Sequence, residues 1–180
     1  LGTCGHSDGT VLLWSGEVMN TPSRITVFSG PYHFLSNFYL CSILYEGITY
    51  ASTEHAYQAA KCASPFMRLQ FVGITATEAK RAGRRVKIRP DWEQVKLGVM
   101  LDLLRIKFAV ADQVHHAALL DALLATGDAE LVEGNWWHDQ YWGVCNCGRD
   151  GTCAKNGGVG ENHLGKLLMQ VRDERRKELT

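Results

Sequence analysis

The sequence lacks an excess of either charge, a long apolar run and a leader-like start. Its 180 residues contain 19 Lys and Arg against 19 Asp and Glu, so the formal net charge is zero. Such a chain does not bind nucleic acid through its overall charge, although a local basic patch still can. No stretch approaches the roughly 18–20 apolar residues that cross a membrane. Residues 1–20 lack the basic and apolar regions of a signal peptide, so we expect an intracellular protein, cytoplasmic or nuclear, without a membrane partner.

Internal repeats and clear linkers are also absent. A length of 180 residues fits one domain and is enough to bury a core without metals or disulfides. Residues 1–22 are rich in Gly, Ser and Thr, with one short predicted strand over residues 11–14. We therefore predict a loose N-terminal arm over residues 1–22 and one compact domain over residues 23–175.

The six cysteines form no standard metal or disulfide pattern. Disulfides are typical of secreted proteins, and nothing else indicates secretion, so we expect reduced thiols. Cys145, Cys147 and Cys153 have the spacing C-x-C-x5-C, which is not a common zinc motif. The fourth ligand would have to be found among three other residues: Cys62, His138 or His163. We predict no metal site and no cofactor.

The first third of the domain is predicted to form strands, and most of the rest helices. Alternating residues predict a strand over 24–28, and residues 43–50 predict a hairpin that turns at Gly47. A short strand is predicted over 131–132. Helices are predicted over six segments: 53–62, 66–72, 75–83, 91–108, 112–125 and 162–177. The predicted fold class is α+β, a mainly helical domain with a small strand-rich N-terminal part.

Polar residues mark the predicted helix ends. Ser52 is a predicted N-cap, and Thr75 or Thr77 is predicted to start the helix that ends at Gly83. Asp91 begins a sequence with the spacing of a capping box. Gly83 is a natural C-cap. The polar end of the chain, residues 172–180, is expected to fray.

The helix predicted over 53–62 carries an acid and an amine on one face. At 3.6 residues per turn, this face contains Glu54, Tyr57, Gln58 and Lys61. A carboxylate in the first turn is favoured by the helix dipole. The face is interpreted either as a solvated surface or as the wall of a pocket.

Residues 134–143 contain three Trp, one Tyr, one Asp and one His outside any periodic element. Large aromatics in a loop either pin the loop to the protein or bind a ligand. The Trp rings could stack on a nucleobase, and Asp139 could bind sugar hydroxyls or act as a base.

Two further segments could contact phosphate. Residues 80–89 contain six basic residues, which form either a phosphate clamp or a solvated face. Residues 157–165 are rich in Gly and enter the last predicted helix, either as a phosphate-binding turn or as a flexible turn capped by Asn162.

Several short blocks occur in a fixed order between residues 28 and 172. The blocks are FLSNF at 34–38, EHAYQAAK at 54–61, AK and GR at 79–80 and 83–84, Trp92, LVEGN at 131–135, Asp139 with WG at 142–143, and GENHLG at 160–165 with LM at 168–169 and Arg172. Together, these blocks resemble the NADAR (YbiA-like) family. The N-terminal 22 residues and the loop 145–156 depart from the family pattern.

The resemblance implies a compact α+β domain with N-glycosidase activity. Family members are associated with cleavage of the bond between ribose C1′ and an exocyclic amine. The implied substrates are ADP-ribosylated guanine, in a nucleotide or nucleic acid, or phosphorylated ribosylamino-pyrimidines of riboflavin synthesis. The basic residues 80–89 favour the first. We expect a monomer.

On this interpretation Lys61, Glu54 and Asp139 are the catalytic residues. Lys61 would form a Schiff base with C1′ while Glu54 or Asp139 handles protons. In the rival version Lys61 binds a phosphate or sugar oxygen and Glu54 activates water.

Nine residues are predicted to bind substrate: Phe34, Asn37, Tyr57, Gln58, Lys80, Arg84, Trp92, Trp142 and Asn162. The aromatic side chains of Phe34, Trp92 and Trp142 would wall the base pocket. Lys80, Arg84 and Asn162 would contact phosphate or ribose. Two other interpretations are a non-catalytic module that binds ADP-ribose or NAD, and a zinc-dependent hydrolase that uses the cysteine loop.

Overall fold

The computed structural model of the chain describes residues 22–109, 114–148, 153–155 and 159–179, and the backbone of residues 10–12 and 18–20. In this part, the helices are α1 (Thr53–Ala60), α2 (Pro65–Arg68), α3 (Ala76–Gly83), α4 (Trp92–Lys107), α5 (Val114–Ala125) and α6 (His163–Glu178). The strands are β1 (Thr10–Leu12), β2 (Val18–Asn20), β3 (Arg24–Ile25), β4 (Ile43–Tyr45), β5 (Ile48–Tyr50), β6 (Glu130–Leu131), β7 (Gly134–Asn135) and β8 (Val144–Cys145). The α+β class is confirmed.

The strands form four small pairs. β4 and β5 are antiparallel and turn through Glu46 and Gly47, whose φ angles of 47° and 78° suit the two-residue turn of a tight hairpin. β3 pairs with β6 and β7 with β8, both in parallel. The pairing of β3 with β6 joins the start of the domain to a segment more than 100 residues later.

The predicted N-terminal arm lies mostly outside the described residues. Its two described segments, β1 and β2, pair with each other in an antiparallel register. The strand predicted over 11–14 is observed as far as it is described, as β1.

Helix α1 lies at the centre of the domain, and all eight of its residues are buried. It packs against α3 and α4. Ala56 and Ala59 are fully buried and allow close approach. Gly83 of α3 permits a similarly close contact, because a Cβ there would lie 1.8 Å from Gln58 Oε1. The polar face of α1 is therefore not a solvated surface.

Ser52 and Asp91 occupy the predicted N-cap positions of α1 and α4, but neither side chain makes the capping hydrogen bond. The Ser52 hydroxyl does not cap α1 but is hydrogen-bonded to His55 Nδ1 at 2.7 Å. Asp91 does not cap α4, because its carboxylate accepts two hydrogen bonds from Arg89, at 2.6 and 2.8 Å. Thr75 does form the cap of α3, in a reciprocal capping box with Glu78.

The prediction that residues 172–180 fray is wrong for the described part of that segment. α6 continues to Glu178. Arg172 is buried and donates to Thr126 Oγ1 at 2.8 Å and to the Ala129 carbonyl at 3.0 Å. Arg175 donates to the Phe108 carbonyl at 2.9 Å. These bonds anchor the polar end of α6 to the domain.

The helices enclose one apolar core. α4 packs on α6, and α5 also contacts α6. Core side chains with no exposed surface include Leu35, Ile43, Phe71, Leu103 and Leu168. Among the described residues, no helix has both the length and the apolar character needed to cross a membrane.

Candidate active site

A cleft opens between α1, α3, the segment 36–38 and the loop that follows β6. It consists of two adjoining cavities, of about 350 Å³ and about 170 Å³. Five residues line both cavities: Asn37, Glu54, Lys80, Asp139 and Trp142. The cleft is therefore assembled from four segments that are far apart in the sequence.

Glu54 is at the floor of the cleft. Its backbone N–H donates to the Asn37 carbonyl at 2.9 Å, which ties the segment 36–38 to the first turn of α1. Its Oε1 accepts a hydrogen bond from Gln58 Nε2 at 2.8 Å. Burial raises the pKa of Glu54, against the opposing effects of Lys80, the Gln58 hydrogen bond and Lys61. A raised pKa lets this carboxyl carry a proton inside the cleft.

Lys61 immediately follows α1 and lines the smaller cavity. Its Nζ lies 5.5 Å from the ring centre of Tyr57 and 5.9 Å from that of Trp92. Burial lowers the pKa of Lys61, and the positive charges of Lys80 and Arg84 lower it further, while Glu54 opposes them. A lowered pKa increases the fraction of neutral amine, which is the nucleophilic form.

Asp139 faces α1 from the loop after β7. Its Oδ1 accepts hydrogen bonds from the backbone N–H groups of Tyr141 and Trp142, at 3.2 and 2.9 Å. The backbone of Asp139 makes two further hydrogen bonds with the side chain of Asn135, which is buried. The Asp139 N–H donates to Asn135 Oδ1, and the Asp139 carbonyl accepts from Asn135 Nδ2. Four hydrogen bonds thus hold this carboxylate opposite the acid and amine of α1.

Lys80 and Arg84 bring positive charge to the cleft from α3 and the residue after it. Lys80 Nζ lies 5.4 Å from the ring centre of Phe38 and 5.6 Å from that of Trp137. Of the basic residues 80–89, Arg89 is instead bound to Asp91, away from the cleft. The basic segment is therefore divided between the cleft and the surrounding surface.

Three predicted site residues lie elsewhere. Phe34 lines a separate cavity near α5. Trp92 is buried behind Tyr57, with ring centres 5.1 Å apart, and belongs to the core. Asn162 is buried, and its amide accepts from the Glu133 N–H at 3.0 Å and donates to the Leu131 carbonyl at 2.9 Å. The other nine predicted residues line the cleft: Asn37, Glu54, Tyr57, Gln58, Lys61, Lys80, Arg84, Asp139 and Trp142.

The structure adds Glu133 and Trp137 to the lining of the larger cavity. Trp137 is 57% exposed, so its ring is accessible to a ligand. Burial raises the pKa of Glu133 to about 7, with a further increase from the negative charge of Asp139. The aromatic cluster in residues 134–143 was the sequence signal for Trp137, whereas the signal for Glu133 was its place in the block LVEGN, directly after a predicted strand.

Three buried oxygen acceptors in the cleft have no hydrogen-bond partner within the described part of the chain. They are Asn37 Oδ1, Gln58 Oε1 and Glu133 Oε2. Buried polar atoms are normally bonded, so an unsatisfied group needs an explanation. These acceptors are available to N–H or O–H donors of a ligand or of water in the cleft.

Lys107 supports the cleft from behind. It is completely buried, and its Nζ donates to the Ser36 carbonyl at 2.8 Å. Burial lowers the pKa of Lys107 to about 8. This lysine fixes the backbone that presents Asn37 and Phe38.

Replacing Glu133 by Gln is expected to stabilise the protein at alkaline pH. The folded protein keeps the Glu133 proton up to about pH 7, whereas the reference pKa of the carboxyl is 4.5. The folded state therefore binds more protons between these values, and this group makes the free energy of unfolding fall as pH rises through that window. At pH 8, Glu133→Gln should raise the free energy of unfolding by about 1–2 kcal/mol, after allowance for partial solvent screening.

Denaturant titrations at pH 8 and pH 4.5 measure this effect. Most of the gain should be gone at pH 4.5, where Glu133 is protonated in the folded chain and about half protonated in the unfolded chain. The exposed neighbour Glu130 provides the control, since Glu130→Gln should change the free energy of unfolding by less than about 0.5 kcal/mol at either pH. An equal gain for Glu133→Gln at both pH values would contradict the prediction.

A second group of side chains lies at the outer end of the same loop. His138, Cys145, Cys147 and Cys153 have ligand atoms that all lie within 4.8 Å of one another. The prediction of no metal site depended on the lack of an evident fourth ligand, and the structure brings His138 to the three cysteines. None of the four lines the cleft.

Comparison with known proteins identifies close relatives of this domain. A family model described as NADAR domain matches residues 26–176. The chain is 38% identical over 149 residues to the N-glycosidase YbiA of Escherichia coli (strain K12), covering 81% of this chain and 83% of that protein. It is 36% identical over 156 residues to an N-glycosidase of Nostoc punctiforme, covering 83% and 90%.

Two further matches extend the comparison. The chain is 38% identical over 146 residues to a riboflavin biosynthesis protein of Vibrio vulnificus, covering 78% of this chain but only 35% of that protein. The NMR structure of Escherichia coli YbiA superimposes with a TM-score of 0.67 at 34% identity, over 87% of each chain. The similarity thus extends to the fold as well as the sequence.

Proposed function

Because the chain belongs to the NADAR domain family and is an N-glycosidase, we propose that it releases ADP-ribose from guanine bases. The bond cleaved would join ribose C1′ to the exocyclic amine of guanine. The observation that carries this proposal is the cleft itself, in which the acid and amine of Glu54 and Lys61 lie beside the cations Lys80 and Arg84.

The charges of the cleft suit a ligand with phosphate groups. Lys80 on α3 and Arg84, the residue after α3, both line the smaller cavity, which Lys61 also lines. Arginine and lysine bind phosphate oxygens through charge-assisted hydrogen bonds. Arg81, Arg85 and Lys87 are exposed beyond the cleft, where a polyanionic strand could follow.

The polar and apolar lining suits a purine nucleoside. The unsatisfied oxygens of Asn37, Gln58 and Glu133 would accept hydrogen bonds from ribose hydroxyls or from the N–H groups of guanine. Phe38 and the exposed Trp137 line the larger cavity and offer aromatic faces for stacking.

In the proposed mechanism the ribosylamine opens to an imine, and neutral Lys61 Nζ attacks C1′. The bond from C1′ to the exocyclic nitrogen then breaks. In the net reaction, the two protons of the lysine amine are transferred to this nitrogen, so that guanine leaves with its free amino group. C1′ is then bound to Lys61 as a Schiff base. Water adds to this carbon and releases the sugar aldehyde, which regenerates the neutral lysine.

The two carboxyl groups would have different tasks. Glu54 is buried and its raised pKa suits a group that holds a proton and passes it to the leaving nitrogen. Asp139 is fixed by backbone donors on the opposite side, where a carboxylate would stabilise positive charge at C1′ and orient water.

A second candidate substrate is a phosphorylated ribosylamino-pyrimidine. It is favoured by the relative from Vibrio vulnificus, which is named as a riboflavin biosynthesis protein. This substrate contains the same bond from C1′ to an exocyclic amine, so the chemistry would be unchanged. A non-catalytic ADP-ribose-binding module is less well supported, because binding alone does not require a buried acid beside an amine.

A direct comparison of substrates tests the proposal. The full chain is incubated with ADP-ribosylated guanosine, an ADP-ribosylated oligonucleotide and a phosphorylated ribosylamino-pyrimidine, and the released sugar is quantified by chromatography. We expect kcat/KM for the guanine adducts to be at least about tenfold higher than for the pyrimidine. The reverse order would favour the pyrimidine, and binding without release of either base would favour the module.

Arg84→Gln and Arg81→Gln form a matched pair for the phosphate contact. Both arginines are exposed, but Arg84, which directly follows α3, lines the cleft, whereas Arg81 on α3 does not. Loss of one charge-assisted bond should raise KM for the guanine adduct about tenfold in Arg84→Gln. Arg81→Gln should change KM for the nucleoside adduct less than about twofold.

A further inference from the structure

The cluster of His138 and three cysteines has the distances of a metal-binding site. The separations from His138 Nδ1 are 3.8 Å to Cys145 Sγ, 3.3 Å to Cys147 Sγ and 3.4 Å to Cys153 Sγ. Cys147 Sγ lies 3.1 Å from Cys145 Sγ and 3.9 Å from Cys153 Sγ. Four ligand atoms therefore surround one small volume.

Four of these five distances lie within about 0.3 Å of those in a tetrahedron around zinc, and the separation of the Cys145 and Cys147 sulfurs is shorter. Zinc–sulfur bonds of about 2.3 Å and zinc–nitrogen bonds of about 2.0–2.1 Å place sulfurs about 3.8 Å apart and a nitrogen about 3.6 Å from each sulfur. A disulfide requires a sulfur separation of about 2.0 Å, much shorter than either measured value. The arrangement fits a shared ion better than a covalent bond.

The backbone builds this cluster in a defined way. The parallel register of β7 and β8 sets Cys145 opposite Asn135, and the Cys145 N–H donates to Gln140 Oε1 at 3.1 Å. His138 adopts a positive φ of 70°, which is uncommon outside glycine and marks a conformation imposed by its surroundings. The Ala154 N–H points to Cys147 Sγ at 3.3 Å, as expected for a donor to a thiolate.

We propose that His138, Cys145, Cys147 and Cys153 bind one Zn²⁺ ion. Three thiolates and one imidazole are a ligand set typical of zinc, and softer sulfur ligands disfavour magnesium or calcium. Four protein ligands fill the tetrahedral shell and leave no position for water or substrate. The ion is therefore structural and takes no part in the cleavage step.

The site holds together the loop that supplies one side of the cleft. His138 lies between Trp137 and Asp139, which both line the larger cavity, and Cys145 follows soon after Trp142. A zinc ion would thus connect His138 and Cys145, which lie on either side of Asp139 in the sequence, and would fix the segment between them. The four ligands act as positioning residues for the cleft, with an effect on stability as well as on activity.

Metal analysis of the full chain tests the site. Protein prepared in zinc-containing medium without chelator should contain about one zinc per chain by elemental mass spectrometry. Cys147→Ser and His138→Asn should reduce this to below about 0.1 per chain. Cys41→Ala removes a buried cysteine outside the cluster and should retain about one zinc, which makes it the matched control.

Cobalt substitution gives a second readout, which does not depend on activity, and its measurement on the wild-type chain does not depend on the folding of any variant. The wild-type chain loaded with Co²⁺ should show the visible bands of tetrahedral cobalt and a near-ultraviolet sulfur-to-cobalt charge-transfer band. Cys147→His should restore metal binding that Cys147→Ser loses, with a weaker charge-transfer band.

Three results would overturn the proposal. One is a wild-type chain with less than about 0.1 zinc per chain that also shows no thiolate–cobalt band. Another is iron in place of zinc at the same stoichiometry. The third is an intact mass lacking two hydrogens together with a Cys145–Cys147 disulfide in a peptide map.

Discussion

Replacement of Lys61 by Met is expected to reduce kcat on the ADP-ribosylated guanine nucleoside by about 10³–10⁴-fold. Methionine retains the apolar stem beside Tyr57 and Trp92 but cannot attack C1′. Since the side chain is half-buried and unbranched, the fold should tolerate the change. Circular dichroism and the unfolding midpoint should therefore remain near the wild-type values.

The pH dependence gives this variant a specific signature. Burial lowers the pKa of Lys61, so the neutral amine becomes more abundant as pH rises through that lowered value. The wild-type rate should increase with pH over this range, and residual turnover of Lys61→Met should not show the same increase. Single-turnover rates at several pH values measure the difference.

Lys61→Arg separates a nucleophile from a binding cation. Arginine keeps the positive charge but stays protonated and cannot form a Schiff base. It should be as inactive as Lys61→Met, whereas a lysine that only binds phosphate would be partly replaced by it. Borohydride reduction during turnover should trap the sugar on Lys61. Lys87→Met, an exposed change in the same basic segment, is the control. Normal turnover of Lys61→Ala without a trapped adduct would end the Schiff-base mechanism.

The Gly165→Ala substitution is expected to have the largest effect on stability, a loss of about 3–5 kcal/mol in the free energy of unfolding. A Cβ at this position in α6 would lie 2.0 Å from the Leu131 carbonyl and 2.6 Å from the Asn162 amide nitrogen. The backbone of β6 would have to move away. The two hydrogen bonds through which Asn162 joins Leu131 and Glu133 would be lost with it.

Gly98→Ala is the matched control for this prediction. Gly98 lies on the exposed side of α4, and a Cβ there meets nothing within 4 Å. Alanine is preferred over glycine in a helix by about 0.5–1 kcal/mol, so this variant should be slightly more stable than the wild type. Equilibrium denaturation of both variants measures the contrast. A small loss for Gly165→Ala, similar to that of a surface change, would contradict the close approach of α6 and β6.

The sequence predicted local structure best where the signal was local. The hairpin at Gly47 and the helix start at Thr75 or Thr77 depend on residues a few positions apart, and both are confirmed, with Thr75 as the cap. Ser52 is the N-cap residue as predicted, but its hydroxyl does not bond the helix backbone because its partner is the His55 ring, one turn along the helix. The end of α6 was predicted to fray because the partners of Arg172 lie more than 40 residues away.

The cleft was predictable as a set of polar segments but not as a shape. Helical spacing identified the face of α1, yet only packing decides whether such a face meets solvent or a cavity. Trp92 and Asn162 show the limit, because an aromatic ring or an amide suited to a ligand is equally suited to the core. The proximity of His138 to the cysteines could not be predicted, because it depends on the path of a loop whose sequence has no periodic pattern.

The complete burial of α1 also has a consequence for the entropy of binding. Glu and Gln side chains lose roughly 1.5–2 kcal/mol of rotamer freedom when they are fixed. For Glu54 and Gln58 this loss occurs during folding, since both are enclosed before any ligand arrives. Substrate binding then costs less side-chain conformational entropy, because these two side chains are already fixed. On the proposed mechanism, more of the binding free energy would remain to distort the ribose and orient it towards Lys61.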